Sequence, residues 1–302
     1  MTLDVRNLTI KYGDHTVLSE VNFNIEDGSI IGLVAPNGTG KTTLFNAIIR
    51  FIPIHEGSIT IDGREYKNTS KDIKALHKIV TFFPDQAELY EDFNGYEHIE
   101  MYRDIWNKDK KNIDDIITRL NMDSYVKNKV KTYSLGMRQR LCFAMMIAAN
   151  TKVMFMDEIM NGLDPVNVEL VSSVLREIKE DGKIIIVASH LLDNLDEYAD
   201  EIFFLDQKDV YYTYNREKET DEYIKGFIGK ENLGQLGTLP EHTLYLNNDR
   251  ICIPTSGLDR DTVNAVLNTL RDLSDRSVSL GPLGTNEHYL RIYKGEQSHE
   301  TS

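Results

Sequence analysis

The feature that most limits what this chain can become is a change of character at residue 35. Ile30 to Ala35 is an apolar run, and Pro36-Asn37-Gly38-Thr39-Gly40-Lys41-Thr42-Thr43 follows it at once. A buried strand is predicted before this segment and a helix behind it. The glycines let the loop curl so that successive backbone N–H groups point inward, where they can meet phosphate oxygens. The N-terminus of the helix adds a partial positive charge at the same place. Lys41 would reach the β- and γ-phosphates, and the Thr42 hydroxyl would coordinate Mg²⁺. The usual loop begins with glycine, and Ala35 stands there, but Gly38, Gly40, Lys41 and Thr42 hold the positions that approach phosphate most closely.

Three further short apolar runs resemble the first: Ile79 to Phe83, Val153 to Met156 and Ile184 to Ala188. Runs that are apolar throughout fit strands covered on both faces, as in a parallel sheet layered by helices. Ligands of such sheets collect beyond the carboxyl ends of the strands. Each run here ends at chemically loaded residues: the glycine loop, Gln86, Asp157-Glu158 and His190. Asp157 is placed to hold Mg²⁺ through water, and Glu158 to polarise a water for in-line attack on a γ-phosphate. One such run before one acid would be chance, whereas four make a site.

Elsewhere the periodicity differs. Leu3, Val5, Leu8, Ile10, Val21, Phe23 and Ile25 alternate with polar residues, which predicts half-buried antiparallel strands near the N-terminus. Residues from about 87 to 150 have helical spacing and read as a helical insertion. After Asp206 a Tyr- and charge-rich segment begins, and a domain boundary is expected near residue 215. The remainder predicts a small α+β unit. It has a hairpin over Thr243–Ile253 turning at Asn247-Asn248-Asp249, an amphipathic helix over Asp261–Leu273 and a closing strand over His288–Tyr293.

Composition excludes some functions. A net charge of −14 argues against a nucleic-acid binder working through a broad basic face. The run Lys127-Asn128-Lys129-Val130-Lys131 reads as a solvated loop. Cys142 and Cys252 lie far apart without metal or redox spacing, and are expected as reduced core residues. No run reaches the roughly 20 apolar residues that cross a bilayer, and Met1-Thr2-Leu3-Asp4-Val5 is not a secretory pattern. Any service to a membrane is therefore expected from its cytoplasmic face, through a partner.

Tyr133-Ser134-Leu135-Gly136-Met137-Arg138-Gln139-Arg140 resembles the signature motif of ABC ATPases. The usual form has a second glycine; here Met137 follows Gly136. This variant resembles the branch serving antibiotic, lantibiotic and bacteriocin exporters. Ser134 can cap the helix behind it, leaving N–H groups facing an anion. The resemblance runs through nearly all of residues 1–215, with each motif in the family's order. It implies an α/β fold, a P-loop NTPase of ABC type with an antiparallel β subdomain, a helical signature subdomain and a small α+β C-terminal extension. It implies ATP and Mg²⁺ as ligands, with ATP held by Tyr12 against adenine and by Asn37, Gly38, Thr39, Gly40, Lys41, Thr42 and Thr43. Metal would be met by Thr42, Gln86 and Asp157, and catalysis supported by Glu158 and His190. Ser134, Leu135, Gly136 and Gln139 would complete the ATP site of a second subunit, identical or related. Asn161-Gly162-Leu163-Asp164 would form the dimer-contacting loop. Ile159 stands where the family commonly has proline. A separate transmembrane permease is the implied partner, placing the chain peripherally on the cytoplasmic face of the cell membrane.

Two other classes compete. A soluble ABC ATPase acting in cytosolic assembly or remodelling would carry the same motifs, although the long coiled coils and tandem ATPase domains of its better-known types are missing here. A nucleotide sensor without turnover is disfavoured by the presence of both Glu158 and His190.

Overall fold

The computed structural model describes residues 1–106, 112–206, 210–215, 218–274 and 276–294. The chain divides into two compact units, Met1–Thr213 and Tyr214–Ser302.

In the first unit, β1 (Thr2–Tyr12) and β2 (His15–Glu26) form a long hairpin, and β3 (Ser29–Val34) leads through the glycine loop into α1 (Lys41–Ile48). β4 (Glu56–Ile61), β5 (Arg64–Glu65), α2 (Ser70–Leu76) and β6 (Val80–Phe82) follow. Next come α3 (Gly95–Trp106), α4 (Ile113–Arg119) and α5 (Leu135–Ala149). The unit continues with β7 (Val153–Asp157), α6 (Pro165–Lys179), β8 (Ile184–Ala188), α7 (Leu192–Tyr198), β9 (Glu201–Leu205) and β10 (Val210–Tyr214). An antiparallel sheet has the order β2-β1-β4-β5, and a second sheet the order β10-β9-β3-β8-β7-β6. The four apolar runs are four of its strands, paired in parallel as expected.

Burial explains the two patterns. Leu3, Val5, Leu8 and Ile10 of β1 face a core shared with α1 and the parallel strands, so only alternate positions need be apolar. β8 is buried at every position, so every position is apolar. Phe45 of α1 sits at the centre of that core, its ring 5.0 Å from Phe155 and 5.7 Å from Phe82. Beyond the four expected strands, β9 is a further parallel strand, whose run Ile202–Leu205 is as buried as the others and pairs with β3.

Between Gln86 and Asn150 the described residues form helices and turns. α3 begins with a reciprocal cap, in which the Glu97 N–H donates to the Asn94 side chain (2.9 Å) and the Asn94 N–H donates to the Glu97 carboxylate (2.7 Å). α5 is mostly buried, Gln139 included, and ends at Asn150 in a left-handed conformation. Lys129 and Lys131 are exposed and lie 3.6 and 2.9 Å from Asp92, while Val130 between them is buried.

The second unit is an antiparallel sheet, ordered β12-β13-β11-β14, of β11 (Tyr223–Phe227), β12 (Leu244–Leu246), β13 (Arg250–Pro254) and β14 (Ser279–Gly281). α8 (Arg260–Leu273) packs through Leu267 and Leu270 on a core with Ile224, Ile251 and Ile253. The expected hairpin is present, and Asn248 and Asp249 at its turn both have positive φ, as a tight hairpin turn requires. The expected closing strand is not. His288–Tyr293 belongs to α9 (Thr285–Lys294). Tyr289, Ile292 and Tyr293 favour strand, but Glu287 decides locally. Its carboxylate accepts from the Gly284 N–H (2.7 Å), three residues earlier, which starts a helix, and it is fixed further by an ion pair with Arg250. Both cysteines are buried and free.

Candidate functional site

β3, β8, β7 and β6 are neighbours in the sheet, so their carboxyl ends share one edge. The register sets Leu33 beside Ala188, Ala188 beside Asp157, and Phe82 beside Phe155. The glycine loop, His190, Asp157-Glu158 and Gln86 therefore emerge from adjacent strands. Residues separated by more than 150 positions in sequence are brought together by strand order alone.

The loop lines a cavity of about 340 Å³ with Pro36, Asn37, Gly38, Gly40, Lys41, Thr42 and Thr43. Gly40 has φ of 106°, and a Cβ there would meet Leu18 Cδ2 at 2.9 Å, so both conformation and space require glycine. Thr39 Oγ1 donates to the Pro36 carbonyl (2.7 Å) and tightens the curl. The Lys41 ammonium donates to the Ala35 carbonyl. Burial pushes its pKa down, and the Asp157 and Glu158 carboxylates partly restore it. Val17 of β2 also lines this cavity and was not singled out from sequence, because its only signal is the ordinary alternation of a strand. Tyr12 lies at the end of β1, about half exposed, and is not among the lining residues.

Burial raises the pKa of Asp157, and Lys41 and His190 oppose that shift. Glu158 is likewise raised by burial, lowered by His190 and raised again by Asp157. His190 Nε2 lies 3.4 Å from Glu158 Oε1. Glu158 is also held at φ of 54°, a left-handed conformation that costs a non-glycine residue about 1–2 kcal/mol. Its N–H donates to the Ala188 carbonyl (2.9 Å), and its own carbonyl accepts from the Asn161 N–H (3.1 Å).

A second cavity of about 560 Å³ lies beside these acids, lined by Gln86, Leu135, Gln139, Asp157, Glu158 and Asn161 among others. Ser134 caps α5 by accepting from the Met137 N–H (3.3 Å). The start of that helix rests on the loop after Glu158, where a Cβ on Gly162 would meet Leu135 Cδ2 at 2.5 Å. Asp164 caps α6 by accepting from the Asn167 N–H (2.9 Å), which lowers its pKa. Gln139 is 3% exposed, and its amide donates to the Glu158 carbonyl (2.9 Å) within the same chain.

A stability test follows from Asp157. Its folded pKa lies above its unfolded value, so the ionised carboxylate is penalised in the fold. That penalty is full above the folded pKa and vanishes below the unfolded one, near 4. Asp157→Asn is expected to raise the melting temperature of the nucleotide-free chain by about 2–4 °C at neutral pH. The gain should disappear as pH falls to about 4. Scanning calorimetry across pH checks it, and a lower melting temperature at neutral pH would show that Asp157 is stabilised by a partner in the free chain.

Comparison with known proteins agrees with this geometry. The family model described as "ABC transporter" matches residues 18–161. The uncharacterized ABC transporter ATP-binding protein YhcH of Bacillus subtilis is 30% identical over 276 residues, covering 89% of this chain and 87% of YhcH. The lantibiotic transport ATP-binding protein SrtF of Streptococcus pyogenes is 30% identical, covering 78% of this chain and 95% of SrtF. Among solved structures, a dimeric ATP-binding cassette in a post-hydrolysis state, bound to ADP and Pi, superposes with a TM-score of 0.61. It is 22% identical and covers 70% of this chain and 98% of the cassette.

Proposed function

This chain belongs to the ATP-binding proteins of ABC transporters, and from that premise we propose that it is the ATP-hydrolysing motor of an exporter whose membrane-spanning part is a separate polypeptide. The observation that carries the reading is the convergence of the glycine loop, Asp157-Glu158, His190 and Gln86 on one sheet edge.

In this reading the loop's N–H groups and Lys41 hold the β- and γ-phosphates of ATP. Lys41 would exchange its bond to the Ala35 carbonyl for phosphate oxygens. Hard oxygen donors suit Mg²⁺. Thr42, Asp157 and Gln86 offer them, and Gln86 Oε1 is buried with no hydrogen-bond partner among the described residues. Bound there, the ion would neutralise charge building on the phosphates. Glu158, its affinity for protons raised by burial, accepts a proton from the attacking water. His190 stands 3.4 Å from it, and would orient that carboxylate and touch the γ-phosphate. The exposed start of α5, with Ser134, Leu135 and Gly136, would close over the loop of a second subunit.

An apolar recess of about 400 Å³ adjoins the Gln86 segment, lined by Phe51, His77, Phe83, Glu88, Tyr102 and Trp106. Phe51 is 67% exposed there. Such a recess supports docking of a permease segment, through which movement near Gln86 would be passed on. No helix of the described residues is long and apolar enough to cross a membrane itself. SrtF, similar over most of its length, is named for lantibiotic transport, which supports export as the direction.

The test is recovery of the tagged chain from membranes in mild detergent. A polytopic membrane protein should come with it, and Phe51→Glu should cut that recovery at least about fivefold while leaving basal ATPase activity within about twofold. Recovery with soluble proteins alone would overturn the exporter reading and favour a cytosolic ATPase.

A further inference from the structure

We propose that Gln139 is a positioning residue of its own chain's site, which braces the Glu158 backbone and sets the orientation of the Gln86 amide. This rests on the reading of Glu158 as the base. Gln139 projects from α5 into a position where it is 3% exposed, and both ends of its amide are engaged. The Glu158 carbonyl can only accept, so Gln139 must present its NH₂ there, at 2.9 Å. Its Oε1 is then left as an acceptor, and the Gln86 NH₂ donates to it. Gln86 turns its Oε1 the other way, and that atom is buried without a partner among the described residues. The direction of the chain of amides is therefore dictated from the Glu158 end. It leaves a carbonyl oxygen, the end of the amide that binds a hard cation, on offer at Gln86.

The brace also explains a strained backbone. Glu158 at φ of 54° persists only where its surroundings fix it. Three hydrogen bonds do so: N–H to Ala188, and carbonyl to the Asn161 N–H and to Gln139. Gln139 is the only one of the three that comes from the helical segment, so the position of α5 and the aim of the Glu158 carboxylate are mechanically joined. A shift of Gln86 on meeting ligand would travel through the same amide to the base.

Gln139→Met keeps length and burial but removes both hydrogen bonds. In the full chain it should lower kcat by about 10–100-fold, with ATP affinity within about threefold, because the ground-state phosphate contacts are untouched. In nucleotide-free protein, hydrogen exchange of the Gln86 side-chain NH₂, read by ¹⁵N NMR, should quicken at least about tenfold. A kcat within about twofold of wild type in Gln139→Met, a loss of ATP affinity as large as the loss of kcat, or unchanged Gln86 exchange would each overturn the proposal. The exchange measurement needs no turnover, so it judges the brace even where Glu158→Gln proves the base to be another residue.

Discussion

Glu158→Gln is expected to lower ATP hydrolysis by about 10²–10⁴ while ATP binding persists. The substitution keeps the size of the side chain and its capacity to hydrogen-bond, and removes only the proton acceptor. Lys41, Thr42 and the loop N–H groups lie on a different strand end and are undisturbed, so nucleotide should still bind. The variant should accumulate as an ATP-bound dimer, visible by size-exclusion chromatography with ATP. The environment strengthens the expectation. Burial raises the pKa of this carboxylate against the opposing pull of His190, which brings it closer to that of a useful general base at neutral pH. Near-normal turnover would show that another carboxylate, Asp157 first, is the base.

The lower part of this site was legible because its signals are local. A glycine loop between a strand and a helix, or an acid pair after a buried strand, needs only a few neighbouring residues to be read. Strand order then did the rest, and the parallel runs were visible because a strand covered on both faces cannot alternate. β9 is less legible although Ile202–Leu205 is equally apolar, since a single Asp206 follows it and not an acid pair or a glycine loop. α9 departs from the expected strand for the opposite reason. His288–Tyr293 has strand-like composition, and the helix is started by a contact of Glu287 with Gly284 and anchored by Arg250, 37 positions away. Gln139 shows a third limit. Its motif implies a role toward a second subunit, and says nothing of the contact its side chain makes with Glu158 of its own chain. Side-chain direction on a helix depends on what packs around it, which a motif does not encode.

Mixing two inactive variants should restore part of the activity if the working unit is a composite of two chains. Ser134 and Gly136 lie at the exposed start of α5, whereas Lys41 lies in the loop. Gly136→Asp puts a carboxylate where a γ-phosphate of the second subunit would approach, adding like-charge repulsion to steric block. A single such chain should still bind ATP and should lose ATP-driven dimerisation and hydrolysis. Its Cβ would also lie 3.2 Å from the Gly162 carbonyl oxygen inside the same chain, so Gly136→Ala, with the same Cβ and no charge, is the control for that contact. Lys41→Ala removes the charge on the β- and γ-phosphates and should weaken nucleotide affinity itself. In a mixed dimer, one site carries both defects and the other carries neither. With random pairing about half the dimers are mixed, each with one intact site, so roughly a quarter of wild-type activity should return, provided that the sites work independently. Mixed dimers that form and stay silent would mean that both sites must be intact or that each chain completes its own. Full activity in Gly136→Asp alone would remove the start of α5 from the site altogether.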